Sequence, residues 1–365
     1  MWYKPYGKTG KEISVVSFGG MRFPDHKDWE VSARIVRHAH SKGINYFDTA
    51  PGYGKSEDIF GVAFRKMDRS TFYVSTKSMA SDAKGLRADL EKSLQRMGVD
   101  YLDFFHIWCL VAPKSWTERK TGGAVAEAQK LQKEGLFRHL VVSAHLAGKD
   151  LREVLEDGVF EGATLGYCAI NFPYRQEAVD AAGKLGLGVV AMNPIGGGII
   201  PKNAERFGFL RGPEDPSVVA AAIRFVVSDP SVTSALVGFS SNEHVDQAVR
   251  AVEGFRPYDR QRIRQLQSRI TESFNGLCTG CGYCLPCPQG VDIPRMMDAY
   301  NHKLIGSGED KEITNRLKWH WGLEAKDAAA CALCGKCEET CTQHLPIMER
   351  MKHIAALAEA DKPKT

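Results

Sequence analysis

Eight of the ten cysteines in the 365-residue chain fall in two short runs after residue 277. The first run reads Cys278-Thr-Gly-Cys281-Gly-Tyr-Cys284-Leu-Pro-Cys287-Pro. The second reads Cys331-Ala-Leu-Cys334-Gly-Lys-Cys337-Glu-Glu-Thr-Cys341. Three thiolates spaced three residues apart can wrap one face of an iron–sulfur cubane from a tight loop. In two-cluster ferredoxins the fourth cysteine of each run ligates the other cluster. By that rule one [4Fe-4S] cluster takes Cys278, Cys281, Cys284 and Cys341. The second takes Cys331, Cys334, Cys337 and Cys287. Gly280, Gly282 and Gly335 let backbone N–H groups approach sulfur, and such bonds tune the potential. Structural zinc is the competing reading, but it favours paired C-x2-C elements over four cysteines in one run. The runs depart from bacterial ferredoxins in two places. Two residues, not three, separate Cys284 from Cys287, and Thr342 rather than proline follows Cys341.

A second set of residues suits proton chemistry at a carbonyl. Asp48, Tyr53, Lys77 and His106 lie at or just beyond the ends of successive strand-like runs. A charged Lys and Asp at the end of apolar strands are costly unless they pair. An ammonium beside a tyrosine lowers its hydroxyl from an ordinary value near 10. Lys77, held by Asp48, is expected to act so on Tyr53, making it a general acid–base. A neutral His106 is expected to donate a hydrogen bond to the same carbonyl oxygen. Singly, each residue also reads as a buried ion pair, a loop tyrosine or a core histidine.

The elements that must position these residues alternate. Apolar runs at Ile13–Phe18, Ile44–Asp48, Thr71–Thr76, Tyr101–Trp108, His139–Ser143, Thr164–Ile170, Gly188–Met192 and Ser234–Gly238 read as buried parallel strands. Helical patterns intervene at Val31–Ser41, Lys84–Met97, Gly123–Glu134, Leu151–Glu156, Arg175–Leu185 and Pro216–Val227. Such alternation predicts an α/β fold, a (β/α)8 TIM barrel preceded by a small hairpin over Gly7–Ser14, rather than an open doubly wound sheet. Helices follow at His244–Val252, Asp259–Ser273 and Pro294–Lys303, and no strand signal remains. Two domains are therefore expected. Residues 1–256 form the barrel and residues 257–365 a small helical ferredoxin-like iron–sulfur domain. In a barrel, active sites lie where strands end. Arg22, Phe23, Trp29 and Trp108 are expected at the substrate mouth.

Bulk properties agree. Hydrophobic residues are 43% and charged residues 25%, as in a soluble globular protein. The formal net charge of +4 is spread without a basic run, so nucleic acid is not an expected partner. No secretory signal or membrane-length apolar stretch is read, and clustered cysteines suit metal in a reducing cytosol. A cytoplasmic location is expected.

Together these residues resemble the aldo/keto reductase superfamily, and the cysteine runs resemble its iron–sulfur branch. The family's Asp, Tyr, Lys and His tetrad matches Asp48, Tyr53, Lys77 and His106. Tyr6-Gly-Lys-Thr-Gly10 and Phe18-Gly19-Gly20-Met21 also match. The resemblance implies a hydride-transferring oxidoreductase that uses NADP or NAD on an aldehyde, ketone or sugar-like alcohol. It also implies nucleotide contacts at Ser143, Met192, Gly196, Gly238 and Ser240. Tyr167 stands where a glutamine is usual and Met192 where an aromatic residue often stacks. No arginine follows Ser240 for a 2′-phosphate. Two other functions fit the same residues. One is proton chemistry by the tetrad without nicotinamide. The other is electron transfer, with the cysteine domain docking a redox partner protein.

Overall fold

The computed structural model describes every residue except 26, 274–275, 279, 281, 283, 342–344 and 361–365. The chain opens with a hairpin of β1 (Tyr3–Pro5) and β2 (Glu12–Ser14). Eight parallel strands then close a barrel: β3 (Val16–Gly19), β4 (Tyr46–Asp48), β5 (Tyr73–Ser78), β6 (Leu102–Leu110), β7 (Phe137–Ala144), β8 (Gly162–Gly166), β9 (Gly188–Met192) and β10 (Ser234–Gly238). They pair in chain order, and β10 returns to β3. The expected (β/α)8 barrel is the fold.

Helix starts are set by short polar side chains. Asp28 caps the helix Trp29–Ser41 by accepting from the Glu30 and Val31 amides. Asp82 caps Ala83–Met97, Ser217 caps Val218–Ser228 and Ser241 caps Asn242–Val252 in the same way. Two helices lay outside the expected pattern. Ser56–Phe64 is buried on nearly every side and so lacks an amphipathic stripe. Pro113–Thr121 is mostly polar and begins just past β6.

The sixth barrel strand lies earlier than expected. It ends at Gly166, because Asn171 folds back and accepts from the Cys168 amide at 2.8 Å. Tyr167 therefore leaves the barrel wall. The first expected strand also divides, with Ile13 in the hairpin and Phe18 in β3.

Inside the barrel, side chains alternate with period two. The floor is aromatic: Tyr6 packs on Phe104 with ring centroids 4.5 Å apart, and Tyr46, Ile13, Val141 and Val190 complete it. Tyr6 enters from the loop between β1 and β2. Gly162 and Gly188 make room for its ring, since a Cβ on either would fall inside it. Above this floor the interior turns polar.

The C-terminal region is helical, with Ile293–Ile305, Lys311–Arg316 and Ile347–Ala360 around a separate small core. Leu266 and Ile270, on the helix Arg260–Ser273, are instead buried in the large core with the barrel. The small region docks over the ends of β6, β7 and β8. The His320 ring lies 4.4 Å from that of His145, Arg295 reaches Asp150 at 3.2 Å, and Gly322 sits against Val111.

Replacing Gly188 with Ala should lower the thermal midpoint clearly, because overpacking a closed barrel floor costs about 1–3 kcal/mol. Differential scanning calorimetry of the variant checks this, and an unchanged midpoint would show that Tyr6 can move aside.

Candidate active site

The charged centre sits on neighbouring strands. Register pairs Asp48 of β4 with Ser75 of β5, and Lys77 of β5 with His106 of β6. The Lys77 ammonium donates to Asp48 Oδ2 at 2.5 Å and to the Thr49 carbonyl at 2.6 Å. Ser75 donates to the other carboxylate oxygen at 2.7 Å. Both charges are buried. Burial pulls Lys77 below its ordinary value, and Asp48 opposes that pull. Both carboxylate oxygens and two of the three ammonium hydrogens are thus bonded, and the pair is costly to break.

Tyr53 lies on the loop after β4. Lys77 Nζ sits over its ring, 5.3 Å from the centroid. Burial, followed by the Asp48 carboxylate, pushes its hydroxyl well above the usual range. Lys77 stays bonded to Asp48 and faces the ring. Tyr53 is held as a protonated donor.

His106 is buried beside this pair, level with Lys77 in the register. Its Nδ1 lies 3.2 Å from the Thr76 carbonyl and 3.2 Å from Ser75 Oγ, and its Nε2 lies 3.0 Å from Thr164 Oγ1. The Thr76 carbonyl can only accept, which assigns the proton to Nδ1. Nε2 then accepts from Thr164 and has no N–H to offer a substrate. Burial, reinforced by Lys77, holds the ring neutral. His106 is therefore a bracing group that links β8, β6 and β5 to Asp48 through Ser75.

Trp108, two residues on and on the same interior face, takes the place beside Tyr53. The two rings meet edge to face at 5.6 Å. A bulge at the end of β6, where register shifts between Ile107 and Leu110, aims it there. Cys109 in the bulge has φ of 63°, rare for a residue with a side chain. Gly52 yields the space, since a Cβ there would lie 2.8 Å from the indole. Of the other expected mouth residues, Phe23 is core against Phe18 and Phe60, Trp29 packs partly buried against the large core, and Arg22 is exposed.

The residues expected at a nucleotide fall around the opposite rim. Ser143 is on the interior face of β7, and its buried hydroxyl has no hydrogen-bond partner among the described residues. Such an orphan suits a carboxamide brought by a ligand. Met192 ends β9, and Gly196 opens a turn of three glycines with φ of 64°, 66° and 101°. Gly238 ends β10 beneath Arg22, whose Cγ would lie 2.7 Å from an added Cβ. Ser240 Oγ meets His244 Nδ1 at 3.0 Å. Tyr167 does not line this rim. Its hydroxyl donates to Gln176 at 2.7 Å outside the barrel wall, so the interior position on β8 is Gly166.

The cysteine runs surround one small core. Cys337 is buried in it, and Cys278, Cys284, Cys287, Cys331 and Cys341 pack against it, while Cys334 is exposed. Cys281 lies outside the described residues. The Gly280 amide donates to Cys278 Sγ at 3.4 Å, and Leu345 N to Cys341 Sγ at 3.5 Å. The charge of Arg350 acts on both Cys278 and Cys341. Cys331 acts on Cys337. Among the described residues, no three metal-binding side chains are gathered at one point. The donor chemistry, soft thiols on glycine-rich turns, suits iron–sulfur clusters.

Burial, with Arg175 and Arg316, holds the interface residue His145 at about 3. An unfolded histidine titrates near 6.5. Below that value the unfolded chain takes a proton that the folded chain refuses, so stability falls with pH by about 1.4 kcal/mol per unit from this ring. The thermal midpoint should drop from pH 7 to pH 5. His145→Gln should show a shallower slope, and parallel slopes would refute the assignment.

Comparisons with known proteins follow the same division. The aldo/keto reductase family model matches residues 15–270, and that of a 4Fe-4S dicluster domain matches residues 277–346. L-galactose dehydrogenase of Arabidopsis thaliana is 27% identical over 281 residues, spanning 67% of this chain and 86% of that protein. The NADH-specific methylglyoxal reductase of Escherichia coli is 27% identical over 230 residues, 55% of this chain and 70% of that protein. An aldo-keto reductase of Bacillus halodurans in its holo form superposes with a TM-score of 0.64 at 21% identity, covering 73% of this chain and 96% of that one, a likeness of fold. No helix among the described residues is long and apolar enough to cross a membrane. The matched barrel, with its buried lysine–aspartate pair at the strand ends, makes this chain a member of the aldo/keto reductase family that carries a C-terminal 4Fe-4S domain.

Proposed function

We propose that the chain interconverts a small carbonyl compound and its alcohol with NADH or NADPH. The observation that carries this reading is a protonated Tyr53, fixed between Trp108 and the Lys77–Asp48 pair, across the barrel mouth from the orphaned Ser143 hydroxyl. Ser143 would hold the carboxamide, Gly196 would close over the nucleotide, and Gly238 and Ser240 would meet its phosphate. A nicotinamide nucleotide bound there supplies or takes the hydride. Tyr53 hydrogen-bonds the carbonyl oxygen and gives it a proton as the carbon is reduced. In reverse it takes that proton back. Lys77 stabilises the phenolate as it forms, and Asp48 keeps Lys77 charged and in place. Trp108 shields the reacting carbon from water. The Escherichia coli relative is described as NADH-specific, and the lack of an arginine after Ser240 supports the same preference here.

The cluster reading keeps the crosswise ligand sets of two [4Fe-4S] clusters. Arg350 facing both Cys278 and Cys341 supports it, as does the nearness of Cys331 to Cys337. A cluster passes one electron and a hydride carries two. The clusters therefore serve structure or an external redox partner rather than the nicotinamide step.

Tyr53→Phe should lower kcat by about 10²–10⁴-fold with cluster absorbance unchanged. Full activity in that variant would remove Tyr53 from the chemistry. Cys334→Ala should lose about half of the bound iron, as one cubane of two. Iron content equal to that of the parent would refute the ligand sets. Titration of anaerobic, cluster-loaded protein with NADH and NADPH, followed by tryptophan fluorescence and cluster absorbance, tests the whole reading. Quenching without bleaching is expected. No quenching by either nucleotide would sink it.

A further inference from the structure

Arg119 has no place in the fold or in the chemistry described so far. It lies on the helix Pro113–Thr121, directly after the β6 bulge. It is 8% exposed. Guanidinium groups buried to that extent are normally paired or bonded to carbonyls. Other buried arginines here follow the rule: Arg224 meets Asp215 at 2.7 Å, and Arg350 reaches the Gly276 carbonyl at 2.7 Å. Arg119 does not. Its buried Nε has no partner, and its side chain makes no hydrogen bond or ion pair among the described residues. The groups that act on it are its exposed neighbour Glu118 and the thiol of Cys109.

Its position points to the substrate. Cys109 follows Trp108 in the bulge, and its thiol lies close enough to interact with both Arg119 and the Tyr53 phenol. The guanidinium and the proton donor therefore flank one residue at the mouth. Burial depresses Arg119, which is the cost of a cation without a counterion. A fold keeps such a cost where a ligand relieves it, the usual trade of stability for function.

We propose that Arg119 is the anion-binding residue of the substrate pocket, and that the carbonyl substrate carries a carboxylate or a phosphate. This rests on the carbonyl-oxidoreductase reading and names its substrate class. The planar guanidinium takes either group through paired N–H donors, and with water displaced that bond is charge-assisted. The anchored anion then presents the carbonyl to Tyr53 past Trp108.

The test uses the cluster-loaded holoprotein. Inorganic phosphate and acetate are first titrated without nucleotide, with tryptophan fluorescence and thermal midpoint as readouts. At least one should quench and stabilise the parent, and neither should do so in Arg119→Gln. Turnover is then compared within two pairs, succinic semialdehyde against butanal and glyceraldehyde 3-phosphate against glyceraldehyde. In one pair, the parent should favour the anionic member. Arg119→Gln should lower that kcat/KM ratio by about ten- to hundredfold, the worth of a hydrogen bond to a charge. The pair that responds separates carboxylate from phosphate. Arg119→Gln should melt no lower than the parent, since it removes an unpaired buried charge. A variant that melts lower or fails to fold would make Arg119 structural and overturn the assignment. So would equal ratios with no anion effect on the parent, even if both neutral aldehydes turn over and the oxidoreductase reading stands. Anion binding lost in Arg119→Gln, with no aldehyde turned over by the parent, would keep the anion site and sink the carbonyl reading instead.

Discussion

An ammonium and a carboxylate share the dry interior of the barrel, and most of the site follows from keeping them together. Lys77 and Asp48 each come from a different strand, so β4 and β5 must hold their register for the pair to exist. Desolvation of each charge costs several kcal/mol, and that cost is met only while every remaining hydrogen-bond position is filled. Ser75 fills one on the carboxylate and the Thr49 carbonyl one on the ammonium. Breaking any member leaves a charge buried without a partner. That constraint also fixes the neighbours. His106 must stay neutral beside Lys77, and the Tyr53 phenol must stay protonated beside Asp48.

The same economy explains why the tyrosine, rather than the histidine, is left available. Both ring nitrogens of His106 are engaged, and its network runs from Thr164 on β8 to Asp48 on β4. Chains of hydrogen bonds in a low-dielectric interior strengthen one another and resist partial loss. The histidine is therefore more useful as a brace than as a donor. One layer higher, the β6 bulge replaces an imidazole with an indole beside Tyr53. The mouth becomes apolar on that side.

Much of this was legible in the sequence, and the failures have physical reasons. Parallel strands buried on both faces read as apolar runs, and the polar residues that end them stand out. Asp48 and Lys77 were visible for that reason. Period-two alternation puts residues 106 and 108 on one face without saying which layer each occupies. Only the closed register tells that His106 sits a layer below the mouth. Tyr167 was misplaced because the sixth apolar run continues through Cys168 and Ala169, although the strand stops at Gly166. Asn171 ends it through a side-chain bond that no hydropathy pattern encodes. The helix Ser56–Phe64 was invisible because it is buried almost throughout and has no polar face to set a period. A residue like Arg119 cannot be recognised from sequence, since what marks it is the lack of a partner.

The domain contact is built from the same kind of group as the site. The Trp321 indole lies under the guanidinium groups of Arg175, Arg295 and Arg316, at 4.7, 5.3 and 5.7 Å. Asp298 takes bonds from both Arg316 and Trp321 at 2.6 Å. Burial would raise its carboxyl, but Arg316 and His302 bring it below its ordinary value. His320, neutral through burial, accepts from Arg175 at 3.1 Å, while Arg175 also donates to the His145 carbonyl at 2.8 Å. Separating the two bodies would uncouple this bonded set, and each cation–π contact is worth most when water is excluded. Because Arg175 begins its reach on the barrel and ends on His320, the ends of β7 and β8 are fixed by the cysteine domain. Ser143 is on β7, and Gly166, at the end of β8, faces His320. The rim that would receive a nicotinamide is thus held in shape partly by residues that belong to the cluster-bearing half of the chain.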